Sequence, residues 1–229
     1  MRKLNSGTIS PVRLMKKVMM ASLVFIGFFS CDQQSAPDTE RPNILFIIAD
    51  DASFSSMGIY GSEYVNTPNF DKLAKDGILF ANAFSNNPKC APARASILTG
   101  RYSWQLEEAV VHRPLMPDKW MFYPELLEEN GYFVGFTGKG WGPGIWTRGE
   151  TNPAGRSYTG NELDPPYKGI NSTDYSKNFS YFLDSNRDNL PFCFWLGTFE
   201  PHRGYEKDAY IKAGRDLMQV KLQKFFPDN

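Results

Sequence analysis

Five side chains between positions 50 and 202 have types and neighbours that suit hydrolytic chemistry. They are two adjacent carboxylates, a thiol, an ammonium and an imidazole: Asp50, Asp51, Cys90, Lys139 and His202. Adjacent carboxylates suit a hard divalent cation such as Ca²⁺ or Mg²⁺. A thiol can be converted to a nucleophile, and lysine and histidine can bind an anion and transfer a proton. Together such groups suit a site for a tetrahedral anion.

The cysteine lies directly before a predicted helix. Pro92 has the backbone angle that opens a helix, so a short helix is predicted over 93–99, ending at Gly100. The start of a helix carries unpaired N–H groups and a partial positive charge, which favour an anion, and Arg94 adds a permanent cation. On these residues alone, Cys90 could equally be a buried structural cysteine beside a surface arginine.

Three predicted strands must bring the other groups together. The two aspartates follow the apolar run 44–49, which is typical of a strand buried on both faces of a parallel sheet. Lys139 follows a predicted strand over 132–137, and His202 follows one over 191–199. The carboxyl ends of parallel strands meet at one edge of a sheet, so an α/β fold is predicted, with a mostly parallel sheet and helices on both faces.

The remaining segments are assigned from their patterns. Helices are predicted over 68–76, which begins with Pro68 and stops at Gly77, and over 124–130. A strand is predicted over 78–84, where apolar and small residues alternate. The polar region 147–189 shows little periodicity and is predicted to be an inserted surface region.

Composition limits the classes of partner. The 229 residues contain 25 Lys plus Arg and 25 Asp plus Glu, so no overall positive field attracts nucleic acid, and no nucleic-acid partner is predicted. Any recognition of an anion must therefore be local. Three cysteines are too few and too scattered for a disulfide framework or a zinc cluster, and Cys193 is expected to be a core residue.

Residues 1–31 read as an export segment. Basic residues precede an apolar run at 18–29 that is too short to span a bilayer comfortably. The sequence Phe-Phe-Ser-Cys ending at Cys31 resembles a bacterial lipobox, which predicts lipidation of Cys31; simple cleavage is the alternative. Residues 32–41 are expected to be a flexible tether. The expected location is a bacterial cell envelope, as a periplasmic or outer-membrane lipoprotein held to the membrane by its lipid anchor.

The stretch Cys90-Ala-Pro-Ala-Arg94, followed by Ala-Ser-Ile-Leu-Thr-Gly-Arg, resembles the Cys-x-Pro-x-Arg signature of the type I sulfatases. Further stretches resemble the same family: Asn43–Asp51, Thr67–Ala74, the glycine-rich run that contains Lys139, and Pro201-His202. The resemblance covers about residues 42–229, and 199–206 look most like heparan N-sulfatase. It implies an alkaline-phosphatase-like fold for 42–229 and a sulfated carbohydrate as substrate.

The resemblance also implies roles for individual residues. Cys90 would be converted by a formylglycine-generating maturation enzyme to formylglycine, an aldehyde whose hydrate is the nucleophile. Asp50, Asp51 and residue 90 would bind Ca²⁺, with Mg²⁺ as the alternative. Lys139 and His202 would bind the sulfate, His202 would protonate the leaving group, and Arg94 would belong to the catalytic set.

Two features depart from the family pattern. Many members have a catalytic histidine where this chain has Trp141. His112 or a residue outside this sequence could take its role, although His112 is expected to be an ordinary loop residue; Trp141 and Trp146 could instead form an aromatic wall for a sugar ring. The family's later metal ligands have no counterpart either, so the sequence resembles an N-terminal portion that is expected to bind metal weakly and to turn over poorly by itself.

Two other functions fit the same residues. One is a phosphoester or phosphonate hydrolase with the same fold. The other is a truncated, inactive protein that binds glycans.

Overall fold

Four parallel strands form the sheet of this protein. The computed structural model describes residues 41–149, 151–202, 204 and 206–220. Within them the sheet order is β1–β4–β2–β3, with these bounds: β1 Ile44–Ala49, β2 Phe133–Gly138, β3 Arg156–Ser157 and β4 Phe192–Thr198. Every strand pair is parallel, so the carboxyl ends meet at one edge. The predicted α/β class with a parallel sheet is confirmed.

The described helices lie between and after these strands. Their bounds are α1 Pro68–Asp76, α2 Cys90–Thr99, α3 Tyr123–Glu129, α4 Tyr175–Ser185 and α5 Ala209–Lys212. Short 3₁₀ turns occupy Phe54–Ser56, Gly58–Tyr60, Ser103–Gln105, Glu107–Val110 and Leu217–Gln219. None of the described helices combines the length and the apolar character needed to cross a bilayer. The predicted export segment, and the tether apart from Arg41, lie outside the described residues.

Helix α2 begins earlier than its sequence predicts. Its first residue is Cys90, and Lys89 is the N-cap, so the thiol lies in the first helical turn. Pro92 is the third residue of the helix. A backbone N–H at this position would have no acceptor within the helix, so the missing N–H of proline costs no helical hydrogen bond. Gly100 ends α2 as predicted, with a φ of 65° in the left-handed region that favours glycine.

Helices pack on both faces of the sheet because neighbouring residues of β4 point in opposite directions. Trp195 is buried on one face with Phe136 of β2 and with Ala95 of α2. Phe194 is buried on the other face against Phe182 of α4. The alternation of a strand thus gives each helix its own side of the core.

Strand β1 is less buried than its apolar sequence predicts. Phe46 packs on Trp195 with ring centroids 4.8 Å apart, but Leu45 and Ile47 on the opposite face are 42% and 56% exposed. The cause is the strand order, because β1 is at the edge of the described sheet and α4 packs on β2 and β4. The prediction of burial on both faces is therefore wrong.

Two other predictions need correction. Residues 78–84 form no strand, and Ile78 and Phe84 are 82% and 88% exposed; an alternating pattern gives a strand only when a neighbour pairs with it. The region 147–189 contains β3 and the eleven-residue helix α4 rather than only surface loop. Asp174 caps α4 by accepting from the backbone N–H of Lys177.

Candidate active site

The predicted site residues meet at the carboxyl edge of the sheet. Asp50 follows β1, Lys139 follows β2, His202 follows β4, and Cys90 begins α2. A cavity of about 490 Å³ here is lined by residues that include Asp50, Asp51, Cys90, Arg94, His112 and His202. A second cavity of about 450 Å³ is lined by residues that include Asp50, Lys139, Asn171 and His202. Because Asp50 and His202 line both cavities, the two spaces share a wall.

Asp50 is the buried anion of the site, with only 5% of its surface exposed. Its Oδ1 accepts from Nη2 of Arg94 at 3.2 Å, and its Oδ2 accepts a short hydrogen bond from Nζ of Lys139. Burial acts to raise the pKa of this carboxyl, but the hydrogen bond and charge of Lys139 and the charge of Arg94 outweigh it and hold the pKa below its ordinary value. Asp50 is therefore a carboxylate paired with two cations.

Arg94 is buried and joins two strand ends to α2. Its Nη1 donates to the carbonyl oxygens of Lys139 and Gly140, at 2.6 and 2.9 Å, and its Nη2 donates to Asp50. Only 1% of the residue is exposed, and its guanidinium lies 5.8 Å from the ring centroid of Trp195. These contacts give Arg94 a positioning role, because it holds Asp50 and Lys139 in place.

The main chain of Lys139 is fixed from several directions. Its N–H donates to the carbonyl of Gly197 at 2.8 Å, and its carbonyl accepts from Arg94 and from Nε1 of Trp195 at 2.9 Å. Gly138, with φ 68°, turns the chain out of β2. The side chain of Lys139 then reaches Cys90, and its Nζ donates to Sγ of Cys90 at 3.2 Å. The ammonium thus lies between the carboxylate of Asp50 and the thiol of Cys90.

The two described cysteines have opposite environments. Cys90 is half-buried, lines the larger cavity, and has its Sγ 3.7 Å from Oδ1 of Asp50. Cys193 is 2% exposed inside β4, as predicted for a core residue, and burial raises the pKa of its thiol to about 11. Of the two, only Cys90 is placed to react with a molecule in the cavity.

Glu200 holds the turn that carries His202, a role that the sequence did not reveal. The Glu200 carbonyl accepts from the N–H of Asp50 at 3.1 Å, which joins this turn to the end of β1. Its side chain accepts from the hydroxyl of Tyr175 and from the N–H of Asn171, each at 2.8 Å. Nothing in the local sequence pairs Tyr175 with Glu200, because they lie 25 residues apart on different elements.

The described residues do not fit a Ca²⁺ or Mg²⁺ site as they stand. Ligand atoms of Asp50, Cys90 and His202 lie within 4.8 Å of one another, but Asp51 is not part of this cluster. The chain turns at the aspartates themselves, with φ 62° at Asp51, which lines the same cavity. Both oxygens of Asp50 already accept from cations, sulfur is a soft ligand, and Ca²⁺ takes about six to eight oxygen ligands.

Trp141 differs from its expected role, whereas His112 lies in a loop as expected. Trp141 is only 6% exposed and belongs to the core with Trp195. Its backbone N–H and carbonyl are held by the side chain of Asn152. The interpretation of Trp141 as an aromatic wall is therefore wrong. His112, expected to be an ordinary loop residue, lines the cavity that contains Cys90.

The parallel sheet and the residues at its carboxyl edge define an α/β protein with an alkaline-phosphatase-like fold. The family model described as Sulfatase matches residues 42–219, and the chain belongs to the sulfatase family. Members of this family typically use formylglycine and a metal ion.

Three curated relatives match between 44% and 88% of the chain. The N-acetylglucosamine-6-O-sulfatase of Bacteroides thetaiotaomicron is 29% identical over 218 residues, which is 88% of this chain and 38% of that protein. The ulvan-active sulfatase of Formosa agariphila is 32% identical over 198 residues. This match covers 86% of this chain and 36% of that protein. The human N-acetylgalactosamine-6-sulfatase is 37% identical over 44% of this chain and 22% of its own length. The chain therefore spans well under half the length of these relatives.

Two solved structures are similar to this chain over 72% of its length. The crystal structure of Ps i-CgsB has a TM-score of 0.55 and 26% identity, covering 72% of this chain and 46% of that one. The structure of BT4656 in complex with its substrate D-glucosamine-2-N,6-O-disulfate has a TM-score of 0.52 and 26% identity, covering 72% of this chain and 35% of that one.

Proposed function

We propose that this protein hydrolyses sulfuric esters of carbohydrates. The observation that supports this best is the position of the Lys139 ammonium, which contacts both Asp50 and Cys90 beside cavities that His202 also lines. A nucleophile position, a fixed cation and an imidazole around an open space are what the transfer of a tetrahedral anion requires.

The proposed nucleophile is formylglycine made from Cys90 by a formylglycine-generating enzyme. The position suits this group because residue 90 lies in the first turn of α2 and lines the larger cavity, with Lys139 in contact. When present, formylglycine supplies a hydrated aldehyde whose hydroxyl attacks sulfur.

The chain's own residues then have distinct tasks. Lys139 binds a sulfate oxygen and offsets the negative charge that develops on it. His202, an exposed residue on the wall of both cavities, binds the sulfate and donates a proton to the leaving oxygen. Arg94 keeps Asp50 and the main chain of Lys139 in position, since it donates to Oδ1 of Asp50 and to the carbonyl oxygens of Lys139 and Gly140.

The family resemblance predicts a divalent cation at Asp50, Asp51 and residue 90, but the described residues do not form that site by themselves. Ca²⁺ is the expected ion and Mg²⁺ the alternative. None of the residue roles above depends on it, because the described arrangement lacks the oxygen ligands that such an ion needs.

The proposed substrate is a sulfated amino sugar of the glycosaminoglycan type. Two of the relatives are named for sulfate on O6 of an N-acetylhexosamine, and the substrate of BT4656 carries sulfate on both N2 and O6. These names favour an O-sulfate over the N-sulfate suggested by the resemblance of residues 199–206 to heparan N-sulfatase. The cavities of about 490 and 450 Å³ are open enough to admit one sugar ring.

The test combines mass spectrometry with sulfate release. The chain is co-expressed with a formylglycine-generating enzyme, and the peptide containing residue 90 is analysed for aldehyde. Free sulfate is then measured with 6-O-sulfated N-acetylglucosamine and with N-sulfated glucosamine, and Cys90→Ala is the matched inactive control. Aldehyde together with sulfate release that Cys90→Ala lacks supports the proposal. A thiol that stays unconverted, or release that persists in Cys90→Ala, contradicts it.

We further propose that the protein is a lipoprotein of a bacterial cell envelope, anchored through Cys31. A Cys31→Ala variant is expected to leave the membrane fraction, and the wild-type N-terminal peptide should carry acyl chains by mass spectrometry. An unacylated wild-type peptide beginning elsewhere would indicate simple cleavage instead.

A further inference from the structure

We propose that Tyr175 is a positioning residue for His202, because it holds the turn 199–202 so that the imidazole can protonate the leaving oxygen. Tyr175 is the first residue of α4 and acts through this turn rather than on the substrate. The inference rests on the proposed sulfate hydrolysis and adds to it a residue from an element that carries none of the other proposed groups.

The hydroxyl of Tyr175 is bonded to two consecutive residues of the turn. It donates to Oε2 of Glu200 at 2.8 Å and accepts from the backbone N–H of Phe199 at 2.9 Å. The carbonyl of Phe199 in turn accepts from the N–H of His202 at 3.1 Å. Burial raises the pKa of the Tyr175 hydroxyl above its ordinary value, so at neutral pH the hydroxyl is protonated and can donate. The main chain of His202 is therefore held, through Phe199, by a side chain of another element.

The ring of Tyr175 lies against the other turn of the site, which carries Lys139. A Cβ at Gly138 would lie 2.7 Å from Cε1 of Tyr175, so the ring and the main chain can approach this closely only because position 138 is glycine. Gly138 ends β2 and directly precedes Lys139. One side chain thus contacts the ends of β2 and β4, and it fixes the spacing between the main chains of Lys139 and His202.

This spacing matters for the proton transfer. As the bond between sulfur and the leaving oxygen breaks, its electron pair goes to that oxygen, which takes a proton from the His202 imidazole, while the sulfuryl group passes to the nucleophile at position 90. The proton donor must be within hydrogen-bond reach of the leaving oxygen. Because His202 is exposed, the place of its imidazole depends strongly on the main chain of its turn. Helix α4 is a firm support for Tyr175, since Phe182 is buried against Phe194 of β4.

The dependence of the rate on the leaving group tests the proposal. Matured protein with equal aldehyde content is assayed with 6-O-sulfated N-acetylglucosamine, whose leaving oxygen needs a proton, and with nitrophenyl sulfate, whose phenolate leaves without one. Tyr175→Phe removes only the hydroxyl and keeps the ring against Gly138. It should lower kcat/KM for the sugar sulfate about 10- to 100-fold and for nitrophenyl sulfate by at most about threefold. Release from the nitrophenyl ester also shows that the variant is folded and matured.

A double variant separates positioning from a general defect. His202→Gln should lower kcat/KM for the sugar sulfate by about 100- to 10,000-fold, as expected for loss of a proton donor. Adding Tyr175→Phe in this background should cause almost no further loss, because the proton donor that Tyr175 positions is already gone. Tyr181→Phe is the matched control, since Tyr181 lies in the same helix and is 59% exposed, and it should leave both rates unchanged.

Three results would overturn the proposal and leave the proposed hydrolysis intact. They are wild-type kcat/KM for the sugar sulfate in Tyr175→Phe, equal losses for the two substrates, and full multiplication of the two single losses in the double variant. A matured wild type that releases sulfate from neither substrate would overturn the proposed hydrolysis, and this inference with it.

Discussion

The ammonium nitrogen of Lys139 lies 3.2 Å from the sulfur of Cys90, although the two residues are 49 positions apart in the sequence. The contact exists because β2 ends beside the first turn of α2, and because Gly138 and Gly197 let the Lys139 main chain approach β4 closely. It places a fixed cation next to the proposed nucleophile.

Replacing Lys139 by alanine should slow sulfate release far more than it destabilises the protein. Loss of a single donor to a developing negative charge typically lowers kcat by about 100- to 1,000-fold. The measurement is steady-state sulfate release on matured protein with the same aldehyde content. Lys119→Ala is the matched control, because Lys119 forms an exposed ion pair with Glu107. Wild-type kcat in Lys139→Ala would remove Lys139 from the mechanism.

Arg94→Met should destabilise the folded protein strongly. The substitution leaves the Asp50 carboxylate with one cation fewer and the buried carbonyls of Lys139 and Gly140 with a lost donor. Breaking a buried pair costs about 3–5 kcal/mol of unfolding free energy, which urea unfolding can measure. Arg148→Met provides the comparison, since its ion pair with Glu125 is partly exposed and worth at most about 1 kcal/mol. Equal losses in the two variants would contradict the positioning role of Arg94.

Gly197→Ala should separate the ends of β2 and β4. A Cβ at position 197 would lie 2.0 Å from the carbonyl oxygen of Lys139, so a backbone must move. Overpacking of this kind costs about 1–3 kcal/mol, and a backbone clash belongs at the upper end of that range. Sulfate release should also fall, because the shift displaces Lys139. At Gly160 a Cβ meets nothing within 4 Å, so Gly160→Ala should leave thermal unfolding and activity almost unchanged. Similar melting curves for both variants would refute the close approach.

Cys193 should react slowly with alkylating reagents in the folded protein. Burial raises the pKa of the Cys193 thiol from 9.0 to about 11, so the folded state favours the protonated form. That contribution to stability is complete below pH 9 and is lost as the pH rises towards 11. At about pH 8, iodoacetamide should label Cys193 at least about 100-fold more slowly in the folded than in the unfolded protein, as two units of pKa imply.

The comparison is made on the thiol form, by mass spectrometry of the separate peptides. Cys90, which lines a cavity, should be labelled in the folded state. Rapid labelling of Cys193 in the folded protein at the same pH would show that β4 opens locally.

The sequence predicts the strands that carry the site because their signal is local. Continuous apolar runs end at Asp50, Lys139 and His202, and the rule for parallel strands places those ends together. The same local signal misleads at 78–84, where the alternation is present but the residues are exposed and unpaired within the described structure. A strand requires a partner, and a pattern along one segment contains no information about the partner.

The contacts of the site that the sequence did not predict join residues that are distant in the chain. Arg94 is next to the nucleophile in sequence, yet its hydrogen bonds reach residues 44 to 46 positions away. Glu200 acts through Tyr175, and Trp141 enters the core because Asn152 holds its main chain. Helix α4, by contrast, has a local signal in its Asp174 cap and in Phe179 and Phe182, which face the sheet.

Both histidines of the 229-residue chain lie on the wall of one cavity, where His112 and His202 face the space beside Cys90. In a preparation of these 229 residues without a polyhistidine tag, every imidazole signal in an NMR spectrum therefore originates at the proposed site. Chemical shifts of the two rings can follow the occupation of the cavity by sulfate, sugar or metal ion without any isotope label placed at a chosen position. The protein thus contains its own pair of spectroscopic reporters.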